Sequence, residues 1–72
     1  MQHLEKKIFL LYQKIGVNTL FNKNNAPPEY WKKLGRLLNL LEQERLALNL
    51  QTGNDLTSES KEKLSHLRQL SS

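Results

Sequence analysis

Asn22-Lys23-Asn24-Asn25-Ala26-Pro27-Pro28 is the stretch on which the fold turns. Asparagine side chains compete for backbone hydrogen bonds and proline supplies no N–H, so this run breaks a helix. Apolar-periodic segments of nearly equal length lie on either side of it. The break therefore reads as the turn of an antiparallel helical hairpin.

Upstream, Leu4, Ile8, Leu11, Tyr12 and Ile15 recur at the spacing of an amphipathic helix. Gly16 followed by Val17 could form a left-handed stop, or stand inside a longer helix at a cost of about 1 kcal/mol. Leu20 and Phe21 still need burial beyond it, so the first helix is expected to continue, over about residues 3–22.

Downstream, Pro28 suits the first helical position, where its missing N–H costs nothing, and Glu29 complements the positive end of the macrodipole. Tyr30, Leu34, Leu37, Leu38, Leu41 and Leu48 share one face, with Trp31 on its edge. Gly53 offers a left-handed residue to end this second helix, expected over about 28–51. In the tail, Asp55, Thr57 or Ser58 could cap a weaker third helix, about 58–70, whose thin stripe is Leu64, Leu67 and Leu70. The expected fold is all-α, a helical hairpin with a third C-terminal helix, in one small domain spanning residues 1–72.

A chain of 72 residues buries a small core, and with no cysteine it has no disulfide to reinforce it. Regular helix packing or oligomerisation must supply the stability. The absence of cysteine fits a reducing compartment. No apolar run approaches the roughly 18 residues of a membrane span, and Ile8-Phe9-Leu10-Leu11-Tyr12 lacks the cleavage site of a signal peptide. These features lead to the expectation of a soluble, unprocessed, cytoplasmic chain with no membrane partner.

Catalysis finds little support. His3 and His66 lie near opposite ends of the chain, Ser65 beside His66 is mere adjacency, and Glu42 and Glu44 point about 200° apart on a helix. The histidines read as solvated polar positions. Two histidines without cysteine do not close a tetrahedral metal site. The expectation is a protein that is not an enzyme and has neither metal nor cofactor.

The net charge of +4 is concentrated near the turn. Residues 14–36 carry Lys14, Lys23, Lys32, Lys33 and Arg36 against Glu29 alone, whereas residues 37–72 carry four cations against five acids. Lys32, Lys33 and Arg36 fall within about 100° of one another beside a helix N-terminus, where the macrodipole disfavours cations. With Lys23 they form a candidate contact for phosphate or another anion.

Leucine is in surplus. Leu46 and Leu50 sit about 160–200° from the main stripe and Leu40 near its far margin, so one partner helix cannot cover them all. Either the third helix lays Leu64, Leu67 and Leu70 over Leu46 and Leu50, or a second copy or another protein covers this face. Tyr30 and Trp31 are expected to close the core against Leu20 and Phe21, with Trp31 the better placed of the two to anchor an interface.

A proline before an aromatic and Leu40-Leu41-Glu42 farther along give residues 27–42 a layout similar to the small helical-hairpin co-chaperones of bacterial type III secretion. The early break and the long tail depart from that layout. The function expected from these features is a small helical protein-binding module, an adaptor, chaperone or inhibitor, acting through Trp31, Leu40, Leu46 and Leu50. The alternative is a nucleic-acid-associated protein using Lys23, Lys32, Lys33 and Arg36.

Overall fold

The computed structural model describes residues 2–72. Among them are three α-helices, α1 (Gln2–Thr19), α2 (Pro28–Thr52) and α3 (Ser58–Ser71), with a short 3-10 turn at Lys23–Asn25 and no strand. The all-α class is as expected, and α1 passes through Gly16 without a break.

The end of α1 differs from the sequence expectation. It stops at Thr19 because Leu20 and Phe21 both take a left-handed φ of 54°, which a right-handed helix cannot contain. The Leu20 N–H still donates to the Gly16 carbonyl at 2.9 Å, and the Asn22 N–H donates to the Thr19 carbonyl at 3.1 Å. The asparagines then satisfy the turn: the Asn25 amide donates to the Thr19 carbonyl at 3.0 Å, and the Asn22 side chain accepts from the Asn24 N–H at 2.9 Å.

Local signals place the remaining ends. Pro28 occupies the first turn of α2, and Gly53, at φ 72°, ends that helix by donating its N–H to the Asn49 carbonyl at 2.8 Å. Of the three candidate caps for α3, Thr57 is the one used, accepting the Ser60 N–H at 3.3 Å. Asp55 instead receives Arg45 in a two-pronged ion pair, Nε to Oδ1 at 2.8 Å and Nη2 to Oδ2 at 2.9 Å, which pins the α2–α3 connection to α2.

The third helix runs parallel to α1 and antiparallel to α2. The Thr57 N–H donates to Glu5 Oε1 at 3.1 Å at one end, Tyr12 and His66 share a hydrogen bond at 3.0 Å midway, and Lys23 Nζ donates to the Ser72 carbonyl at the other end. Against α2, Arg68 pairs with Glu42 at 3.9 Å. The result is an up-down-up three-helix bundle measuring 39 × 18 × 16 Å, in which α3 packs on both other helices and α1 meets α2 less extensively.

The core lies on the axis where the three helices meet. Ile8, Leu38 and Leu67 are its most enclosed apolar side chains, one from each helix, with Leu64 and Leu70 completing the contribution of α3. The tail therefore docks, but not where the leucine surplus called for it. It fills the cleft between α1 and α2 and leaves Leu46 and Leu50 uncovered. Leu37, expected in the stripe, is exposed as well.

Core closure at the turn is also rearranged. Phe21 folds back over α1, its ring centroid 4.6 Å from that of Tyr12 and 4.9 Å from that of His66, while Leu20 points to solvent. Tyr30 and Trp31 pack edge to face on each other at 5.1 Å.

Candidate protein-binding surface

The four residues expected to form the interface do not share one face. Trp31 is only 5% exposed, and its Nε1 donates to the Lys23 carbonyl at 2.9 Å, so it closes the core and is withdrawn as a surface anchor. The reason lies in the third helix. Trp31 sits about 40° around α2 from Gly35, the point that Ser71 of α3 approaches, so the edge of the hairpin stripe becomes interior once α3 arrives.

Leu40, Leu46 and Leu50 are exposed at 57%, 61% and 88%. Leu46 and Leu50 are about 40° apart on α2, whereas Leu40 is about 120° from Leu46 and lies toward Leu37. These leucines thus belong to two surfaces, an outward pair on the C-terminal half of α2 and a second set along the α1/α2 seam.

The seam set frames a groove. Leu11 and Ile15 of α1 with Leu34 and Leu37 of α2 give it an apolar floor, Tyr30 helps line it, and among the described residues Lys14 and Lys33 are its charged lining residues. Exposed Leu10 and Val17 lie within about 60° of Lys14 on α1, and Leu40 within about 60° of Leu37 on α2, so apolar side chains continue outward from the rims. Toward the start of α1 the seam is bridged by Lys7 and Glu44 at 3.0 Å. Beyond that bridge lies a second hollow bounded by His3, Leu4, Ala47 and Leu48.

The expected cationic cluster forms, with one member committed elsewhere. Lys32, Lys33 and Arg36 are exposed around one hollow with Glu29, and Lys23 and Lys32 line the adjoining hollow, where Lys23 Nζ is held by the Ser72 carbonyl. Lys33 belongs both to this basic end and to the apolar groove.

His66 departs from the solvated position expected of it. It is half-buried, hydrogen-bonded to Tyr12 and stacked on Phe21, with Lys63 Nζ 4.9 Å from the Tyr12 ring centroid. Asp55 is held well below the usual carboxylate range, first by hydrogen bonds from Arg45 and then by the Leu56 N–H, and Arg45 is raised in turn. Among the described residues no group of three or more His, Cys, Asp or Glu is placed to hold a metal ion, and no helix is long and apolar enough to cross a membrane.

The groove went unanticipated because two helices make it. Its trace in the sequence is the pair Leu10 and Val17, seven residues apart on α1 and off the Leu4–Ile8–Ile15 stripe, together with Lys14 between them. The chain matches no protein-family model, no curated protein and no solved structure.

Proposed function

We propose that this chain is a small protein-binding module, an adaptor, chaperone or inhibitor that works by burying its exposed leucines against another polypeptide. One observation carries the reading. The third helix completes the core, yet Leu10, Val17, Leu37 and Leu40 stay exposed on and around the α1/α2 seam, and Leu46 and Leu50 on the outward side of α2. Single exposed leucines are ordinary on small proteins, but apolar side chains grouped around a groove, with a further pair on one helix face, are a feature of binding surfaces. The cysteine-free composition supports a reducing, cytoplasmic setting for this role.

The test is site-specific photo-crosslinking in cells that make the protein, with the photoreactive residue placed in turn at Leu40, Leu46 and Leu50, and at Gln69 on the polar outer face of α3 as control. A discrete adduct, to another protein or to a second copy, from at least one leucine position and not from Gln69 is the expected outcome. Equal background at all four positions would refute the reading.

A second reading, nucleic-acid association, is favoured by the exposed cluster of Lys32, Lys33 and Arg36 beside Lys23. It predicts oligonucleotide affinity that falls steeply with salt and is lost when those three clustered cations are replaced by glutamate.

A further inference from the structure

We infer that the α1/α2 groove seats a helix of another protein whose apolar stripe is flanked by carboxylates, so that the two chains together close a four-helix bundle. The inference rests on the protein-binding reading above and specifies its face and its partner's chemistry.

The position of the groove comes first. On α1, Lys14 lies about 180° around the helix from Glu5, which accepts the Thr57 N–H of α3; on α2, Lys33 lies about 180° from Glu42, which faces Arg68 of α3. The groove is therefore on the side of the α1/α2 pair opposite α3. On the α3 side, a helix carrying Leu64, Leu67 and Leu70 fills the cleft between the same two helices. The vacant side offers a similar surface, two antiparallel ridges with an apolar floor between them, which suits an amphipathic helix presenting residues at i, i+3, i+4 and i+7.

The charge selects the occupant. Lys14 belongs to one wall and Lys33 to the other, while the acid farther along the same seam, Glu44, is already paired with Lys7. A helix lying between the walls gains from carboxylates on both flanks of its apolar stripe, as the e and g positions do in a coiled coil. A second copy of this chain fits poorly, because a two-fold contact through this face brings lysines onto lysines. Its α3 outer surface, with Ser58, Glu59, Glu62, Ser65 and Gln69 exposed, offers no leucine stripe to insert. A phosphate backbone would use the two lysines and leave the leucine floor in water, whereas an acidic amphipathic helix uses both.

The test uses the full chain, isotopically labelled for NMR, and a synthetic peptide of about three heptads with leucine at a and d and glutamate at e and g, a pattern whose self-repulsion opposes pairing with itself. A matched peptide with lysine at e and g is the control. The glutamate peptide is expected to shift the amides of Leu11, Ile15 and Leu37 and to leave those of Ser65 and Gln69 in place. Lys14→Glu with Lys33→Glu, both exposed and checked for fold by circular dichroism, should weaken the glutamate peptide at least tenfold and create binding of the lysine peptide. Equal binding of the two peptides, binding of neither, or an oligonucleotide that moves the groove amides when the peptide does not would each overturn the inference. Shifts confined to Leu46 and Leu50 would also overturn it while leaving the protein-binding reading intact. That broader reading falls separately, if the crosslinking at Leu40, Leu46 and Leu50 shows nothing above the Gln69 background.

Discussion

The ring of Phe21 occupies the space that a side chain on Gly16 would need: a β-carbon there would lie 2.4 Å from Cε2 and 2.8 Å from Cζ. The contact explains why a glycine stands within the last turn of α1. Its helical propensity is poor, but its bare backbone lets the chain reverse at Leu20 and lay Phe21 across the helix against Tyr12 and His66. Gly16→Ala gains about 1 kcal/mol in propensity and loses up to about 3 kcal/mol to overpacking, for an expected net destabilisation of about 1–2 kcal/mol. Urea unfolding measures it. In a Phe21→Leu background the same substitution should become neutral or favourable, and an unchanged penalty there would show that the ring is not the cause.

Leu20 stands in the left-handed region with its side chain in solvent, so it has the strain of that conformation without the burial that compensates Phe21. A left-handed non-glycine residue costs about 1–2 kcal/mol, and glycine removes that cost while adding roughly 0.5–1 kcal/mol of unfolded-state entropy. Leu20→Gly should raise stability by about 0.5–1 kcal/mol, seen as a Tm a few degrees higher, and Leu20→Val should lower it. A Tm unchanged by both would mean that the α1 terminus relaxes at no cost.

What the sequence reveals here divides by distance along the chain. Pro28, Gly53 and Thr57 act within four residues of themselves, and the limits of α2 and the start of α3 follow from them. The end of α1 does not follow in that way, because the reversal at Leu20 and Phe21 is held by His66 on α3, far along the chain. Trp31 shows the same division: its place on a two-helix wheel is the margin, and only the arrival of α3 turns that margin inward. The exposed cations of the basic end were legible because hydration needs no partner. The groove between Lys14 and Lys33 was not, since its walls belong to different helices and only their packing makes it one site.

The Arg45 and Asp55 pair sets a limit on acid tolerance. Asp55 titrates well below its ordinary value of about 3.9 because Arg45 and the Leu56 N–H bind its charged form. A folded-state value depressed below the unfolded one means that the unfolded chain takes up the proton first. The contribution of the pair is complete above about pH 4 and is lost as pH falls toward the folded-state value. Carbon-detected NMR should show the Asp55 carboxylate still ionised at a pH below the ordinary carboxylate range. Asp55→Asn should flatten the acid side of the stability profile. An Asp55 titration at the ordinary carboxylate value would show that the ion pair does not persist in solution.

Leu67 and Leu50 put the division between fold and function to a direct test. Leu67 is fully enclosed between α1 and α2, whereas Leu50 is 88% exposed on the outward side of α2. Truncating the first removes buried methyl groups and opens a cavity, so Leu67→Ala should cost about 2–5 kcal/mol, much of the stability a chain of this size can have. Truncating the second removes contacts with water alone, and Leu50→Ala should stay within about 0.5 kcal/mol of the parent. Paired urea titrations at equal protein concentration measure both values. Near-neutrality at Leu50 would establish that the monomer's fold does not require that leucine. A cost of more than about 1 kcal/mol there would mean instead that Leu50 is already buried in solution, either by a second copy or by a different path of the tail. Repeating the titration over a hundredfold range of concentration separates these causes, since only self-association makes the Leu50→Ala penalty grow with concentration.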